Sequence, residues 1–207
     1  MTRLAIALGD PAGIGAEVVL KALAHRPSLN PLLVGCRQWL QASYEQLLPC
    51  CHEPLADPSQ LEILDEPLAA AIAPGSISAA AGAASFTWLT RATEAVLDGR
   101  AQALVTAPIA KTAWHQAGHH YPGQTERLAE LCGCEDAAML FTARSPQSGW
   151  RFNTLLATTH IPLSSVPAAL TPERLDRRLS QLEDVRRRFR QRPRLRAAGL
   201  NPHAGEA

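Results

Sequence analysis

The sequence predicts an α/β fold, with a mostly parallel sheet flanked by helices. Three observations point to it. Short runs of strand length recur along the 207 residues and are apolar at consecutive positions, as strands covered on both faces must be. Longer stretches between them space their apolar residues at helical intervals. The two kinds of segment alternate, which is the order that βαβ units impose.

Taken in order, "RLAIAL" (Arg3 to Leu8) reads as the first strand. "GAEVVLKALAHR" behind it reads as a helix with Val18, Val19, Leu20 and Leu23 turned inward. "PLLVGC" is a second buried strand and "LEILDE" a third, after a proline-bearing loop that holds Cys50 and Cys51. Ala79 to Leu97 form a long alanine-rich helix, ended by Asp98-Gly99 because glycine accepts the left-handed backbone that closes a helix. "ALVTAP" (Ala103 to Pro108) follows as another core strand. "AAMLFTA" and "RFNTLLATT" read as two more, the pair expected to be antiparallel. "TPERLDRRLSQLEDVRRRFRQ" is a charged amphipathic helix with Thr171 as N-cap and Pro172 in its first turn. "RLRAAGL" is the last expected strand, and the Pro, Gly and His cluster over residues 108–125 marks the expected domain boundary.

Composition excludes several classes. Hydrophobic residues make up 46% and charged residues 19%, within the ordinary globular range. A formal net charge of +1 gives no electrostatic case for nucleic acid or a membrane as partner. The arginines from Arg186 to Arg194 have no aromatic among them apart from Phe189 and read as a solvated helix face. No apolar run approaches the roughly 20 residues of a membrane span, and "LAIAL" is too short for a signal-peptide core. The expected location is the cytoplasm. Cys36, Cys50, Cys51, Cys132 and Cys134 are odd in number and lack paired C-x2-C spacing, so neither a disulfide framework nor a structural zinc site is indicated.

In open parallel sheets, ligands bind at the loops that follow the carboxyl ends of strands. Four such loops collect the unusual polar residues: "GDPAGIG", "APIAK", "THIPL" and "NPHAGE". In the first, Asp10, Gly13 and Gly15 are the candidate cofactor-binding residues, because glycines admit close backbone approach and a helix N-terminus favours an anion. The spacing is not G-x-G-x-x-G, and standing alone the loop reads first as a tight turn capped by Asp10. Lys111, one of only two lysines among 20 basic residues, is a point charge suited to a phosphate or carboxylate. Gln124 and Thr125 open a helix, where an amide and a hydroxyl either cap it or meet a polar ligand. His160 and His203 each follow an expected strand. Two imidazoles can converge on one metal ion, yet they fall short of the three protein donors of a catalytic site. The residues alone leave open that the two are unrelated.

"ALGDPAGIGAEVVLKAL", "LVTAPIAKTAW", "GQTERLAEL", "LLATTHIPL" and "GLNPHAGE" together resemble, in order and spacing, the 4-hydroxythreonine-4-phosphate dehydrogenase family of vitamin B6 biosynthesis. The first loop is also similar to the opening of isocitrate and isopropylmalate dehydrogenases, whose fold that family shares. The resemblance implies an NAD- or NADP-dependent homodimer that requires a divalent metal such as zinc, magnesium or cobalt. Its small phosphorylated hydroxy amino acid substrate is oxidised and then loses CO2, giving 3-amino-2-oxopropyl phosphate. It further implies that His160 and His203 are two of three metal-ligand histidines, and that Gln124 and Thr125 stand where the family carries a substrate-binding His-Thr. Glutamine cannot carry a proton charge at neutral pH, so proton handling there is expected to differ. The implied organisation is a first α/β domain over residues 1–120 and part of a second over 121–207 bearing the metal loops. Because family members run beyond this length, "NPHAGEA" is expected to be an interior loop. Two other outcomes remain open at this level: a truncated, non-catalytic remnant, or a dehydrogenase of four-carbon sugar-acid phosphates such as erythronate or threonate 4-phosphate.

Overall fold

The structure, a computed structural model, describes residues 2–188, 196–201 and 203. The chain divides into two compact units, Met1–Glu135 and Asp136–Ala207. The division therefore falls beyond the expected 120/121 boundary, and the segment around Gln124 belongs to the first unit.

The first unit is built on a parallel sheet. Strand β1 (Leu4–Ala7) leads into helix α1 (Gly15–Ala24), then β2 (Leu32–Gly35), α2 (Arg37–Leu47), β3 (Glu62–Asp65), α3 (Ala79–Leu97) and β4 (Ala103–Thr106). Helices α4 (Lys111–Gln116) and α5 (Gln124–Leu131) complete the unit. The sheet has four strands in the order β3-β2-β1-β4. Every pairing is parallel, with Ile6 beside Leu33 on one side and Val105 on the other. β1 and β2 are the central strands, and their continuous apolar runs follow from being covered on both faces: Ala5, Leu8, Leu33 and Val34 are completely buried. Each of the four expected strands is present.

Helix α3 spans Ala79–Leu97, matching the expected range. Ser78 caps it by accepting a hydrogen bond from the Ala81 N–H (3.2 Å), and Gly99 closes it at φ +77°. Two expectations about helices need correction. Val18 is 45% exposed, because the buried stripe of α1 runs through Ala16, Val19, Leu20 and Leu23 and position 18 lies off it. Helix α2 is not among the expected elements; Cys36 caps it, its thiol accepting from the Trp39 N–H at 3.4 Å.

The second unit contains β5 (Leu140–Arg144), β6 (Arg151–Leu155), the short helix α6 (Val166–Ala169) and α7 (Pro172–Arg188). β5 and β6 form the expected antiparallel pair, with Thr142 opposite Asn153. Thr171 caps α7 as expected, accepting from the Arg174 N–H at 3.3 Å. The last expected strand, "RLRAAGL", is not formed over the described residues 196–200, and Leu200 is 50% exposed. A strand needs a neighbour for its backbone groups, and the described sheet of this unit pairs β5 and β6 only with each other. No helix among the described residues is long and apolar enough to cross a membrane.

Candidate functional site

The strand order places a topological switch point, where open α/β sheets have their ligand crevice, between β1 and β4. After β1 the chain adds β2 and β3 on one side; β4 then joins the other side of β1. Between β1 and β4 the connections therefore diverge, and the loops at their carboxyl ends frame the place where open α/β sheets bind ligands. These are the loops that carry Asp10 and Lys111.

The two loops are fastened to each other. The Asp10 N–H donates to Pro108 O at 2.9 Å. A Cβ on Gly9, which has φ +75°, would lie 2.4 Å from the same carbonyl oxygen, so only glycine fits there. Asp10 is 7% exposed, and its carboxylate accepts the Ala12 N–H at 2.8 Å. It shapes the turn, as the local reading anticipates. A Cβ on Gly15 would lie 2.1 Å from Leu8 O, so this glycine lets α1 start tight against the end of β1. Gly13 differs: it is exposed, and the nearest atoms to an added Cβ are those of Asp10, at 3.4 Å and beyond. Of the three candidate cofactor residues, Gly13 alone is exposed, and its N–H donates to Asp10 O at 3.0 Å.

Lys111 and the start of α5 meet at this crevice. A Cβ on Gly123 would sit 3.6 Å from Lys111 Cε and 3.8 Å from Nζ, so the ammonium lies beside the N-cap of α5. No ion pair holds Lys111 among the described residues. The Glu126 carboxylate in the first turn of α5 is also close, its Oε2 lying 3.5 Å from the same Cβ position, so Lys111 and the helix start already have one anion nearby; both groups also favour a phosphate or carboxylate. Gln124 donates from Nε2 to Ala107 O at 3.4 Å, while its Oε1 is buried without a partner. Because a carbonyl can only accept, this bond leaves the amide oxygen as the free acceptor. Thr125 is exposed.

Behind α5 lies an aromatic cluster that the sequence does not reveal. Phe86 stacks on His119 (centroids 3.6 Å apart, 4° between planes) and packs against Trp114 and Tyr121. The Arg127 guanidinium lies 4.7 Å above the Phe86 ring. Burial, together with the nearby Arg127 charge and His120, holds the His119 imidazole below its usual 6.5. No spacing rule flags these residues, since they lie on three separate segments. A groove of about 570 Å³ lined by Arg37, Gln41, Glu45 and Pro58 contains none of the expected residues.

His160 and His203 belong to the second unit. His160 does not directly follow a strand, because β6 stops at Leu155. It adopts φ +54°, the one described non-glycine residue with positive φ, and is exposed. The His203 N–H donates to Asn201 Oδ1 at 2.8 Å in a short turn. Among the described residues no group of three or more His, Cys, Asp or Glu is placed to hold a metal ion. The two imidazoles by themselves do not make up a catalytic donor set.

Comparison with known proteins decides the family. Residues 27–207 match the family described as "Pyridoxal phosphate biosynthetic protein PdxA". The chain belongs to the PdxA family. It is 95% identical over 207 residues to the 4-hydroxythreonine-4-phosphate dehydrogenase of Synechococcus sp. (strain RCC307), covering 100% of this chain and 63% of that protein. It is 49% identical to the enzyme of the same name from Thermosynechococcus vestitus, covering 98% of this chain and 61% of that one. Among solved PdxA-type structures, the 4-hydroxythreonine-4-phosphate dehydrogenase of Klebsiella pneumoniae superposes with a TM-score of 0.79 at 34% identity, covering 99% of this chain and 64% of that one. That of Burkholderia phymatum gives 0.80 at 30% identity, covering 100% and 64%. The chain thus spans less than two thirds of the length of these PdxA relatives. The resemblance carried by the five motifs and the expected α/β class are both borne out.

Proposed function

We propose that this chain carries the substrate end and part of the cofactor and metal sites of an NAD- or NADP-dependent 4-hydroxythreonine-4-phosphate dehydrogenase. The observation supporting this best is the convergence of the β1 and β4 loops, Lys111 and the α5 N-terminus at the crevice where the sheet connections diverge. Lys111 and the first N–H groups of α5 hold an anionic group of the substrate, with Thr125 adding a hydroxyl contact. The unpaired Gln124 Oε1 accepts a hydrogen bond from a substrate N–H or O–H donor. Gly13 lets the backbone approach the dinucleotide, which accepts the hydride when bound. His160 and His203 serve as two ligands of a divalent ion. Two donors bind such an ion weakly, so these residues alone do not complete that site. The protein acts as a homodimer in the cytoplasm.

Another reading concerns the substrate. The Terephthalate 1,2-cis-dihydrodioldehydrogenase of Burkholderia xenovorans LB400 superposes with a TM-score of 0.65 at 30% identity, so the same architecture carries a dehydrogenase named for an unphosphorylated substrate. Lys111→Met, in a form extended to the length of the Synechococcus relative, separates the readings. Loss of affinity for 4-hydroxythreonine-4-phosphate, with affinity for unphosphorylated 4-hydroxythreonine unchanged, is expected. Equal effects on both would exclude Lys111 as the phosphate contact.

A further inference from the structure

α5 is an eight-residue helix with no buried residue, too short to be stable by itself. Yet it carries Gln124 and Thr125 at its start. Something must hold it against the first unit. Leu128 supplies a partly buried apolar contact, and the Gln124–Ala107 bond is long at 3.4 Å. The strongest attachment is Arg127.

The Arg127 side chain is 15% exposed and engages three segments at once. Its guanidinium carbon lies over the ring of Phe86 of α3, 4.7 Å from the centroid, and 5.9 Å from that of Tyr121. One terminal nitrogen donates to Thr90 Oγ1 of α3 at 3.3 Å, while the other pairs with Glu130 Oε2 on α5 itself at 3.1 Å. Tyr121 closes the ring by donating its hydroxyl to the same Glu130 oxygen at 2.5 Å. A planar fork can stack and donate in two directions at once; an ammonium cannot.

We propose that Arg127 is the positioning residue for substrate recognition, locking α5 onto Phe86 and Thr90 so that Gln124 and Thr125 are held at the crevice beside Lys111. The inference rests on the reading of that crevice as the substrate end. Arg127 does not itself touch substrate; it determines where the two residues that do are placed.

The test uses Arg127→Met, which keeps a similar stem and removes the fork, Arg127→Lys, which keeps the charge, and Thr125→Ala. In the 207-residue chain, the amides of Gln124–Leu131 are expected to exchange about tenfold faster in Arg127→Met, while those of Leu32–Gly35 are unchanged. Exchange of the α5 amides at the wild-type rate would overturn the proposal. In the form extended to the relative's length, Arg127→Met is expected to raise KM for 4-hydroxythreonine-4-phosphate about tenfold, with kcat within about threefold. Arg127→Lys should behave like Arg127→Met; full recovery by lysine would show that charge, not the planar clamp, is what matters, and overturn the proposal. If Thr125→Ala raises KM and Arg127→Met does not, the positioning role alone is wrong. If neither raises it, the reading of the crevice as the substrate end falls, and the positioning role with it.

Discussion

Trp114 of α4 donates its indole N–H to Ser85 Oγ of α3 across 2.8 Å, and both side chains are all but fully buried. Three residues earlier on α3, a Cβ on Gly82 would lie 2.0 Å from Ala113 O, so the two helices touch backbone to backbone. Lys111 opens α4, so its placement at the crevice depends on this contact. Ser85→Ala leaves a buried N–H without a partner and is expected to destabilise the first unit by about 1–3 kcal/mol. Gly82→Ala forces the helices apart at a cost of about 3 kcal/mol or more. Urea unfolding measures both, and Gly82→Ala should be the more damaging.

Two glycines of the first loop should respond oppositely. Gly15→Ala clashes with Leu8 O and is expected to cost about 3 kcal/mol of stability. Gly13→Ala meets only Asp10 atoms at 3.4 Å or more, so stability should change by no more than about 0.5 kcal/mol. If Gly13 lies against the dinucleotide as proposed, affinity for NAD or NADP should still fall about tenfold in Gly13→Ala, because the added methyl keeps the loop backbone from close approach. Calorimetric melting and dinucleotide titration of the same variant read the two effects separately.

His119 gives the first unit a pH dependence. Its pKa lies below 6.5 when folded, through burial against Phe86 and the neighbouring Arg127 and His120. The unfolded chain therefore binds the extra proton more readily. The stabilisation is fully present above about pH 6.5 and is lost as pH falls through the lowered folded value. His119→Phe keeps a ring to stack on Phe86 and removes the titration. Urea midpoints of the wild type should drop between about pH 7.5 and 5 more than those of His119→Phe.

In the second unit, Arg178 grips Asp136 with two bonds of 2.9 and 2.7 Å and tethers α7 to the chain ahead of β5. The Arg178 side chain is 10% exposed and that of Asp136 31%, so the pair lies between the exposed and buried extremes. Arg178→Ala is expected to cost about 2 kcal/mol on that intermediate scale. The hydrogen bonds from Arg178 hold the Asp136 carboxyl below its usual 3.8. Their contribution is complete above about pH 4 and is lost as pH falls through the lowered value. Proteolysis within α7 at neutral pH should accelerate in Arg178→Ala.

Much of this architecture is legible in the sequence, for identifiable reasons. β1 and β2 announce themselves because both faces are covered, leaving no polar position in Ala5–Leu8 or Leu32–Val34. α3 is bounded by the capping chemistry of Ser78 and Gly99. The loops bearing Asp10, Lys111 and Gln124 can be located because function in such sheets follows strand ends. What sequence does not show is how segments distant along the chain meet. α2 hides because only Leu40 in it is fully buried, although Trp39, Tyr44 and Leu47 extend a helical stripe. The Phe86–Arg127 contact joins positions that no periodicity links. "RLRAAGL" has the composition of a strand, but composition cannot supply the neighbour a strand must pair with. The local turn role of Asp10 was legible; that Gly15 is required by Leu8 O was not.

The most direct test of the central claim is nicotinamide reduction by the form extended to the length of the Synechococcus relative, followed by the near-ultraviolet absorbance of the reduced cofactor. With 4-hydroxythreonine-4-phosphate, a divalent metal and NAD or NADP, the absorbance is expected to rise, and His160→Ala or His203→Ala should each slow it at least about 100-fold. The 207 residues by themselves should show no turnover, since two imidazoles do not complete a catalytic site. Reduction that proceeds unchanged without either histidine, or no reduction under any of these conditions, would contradict the account.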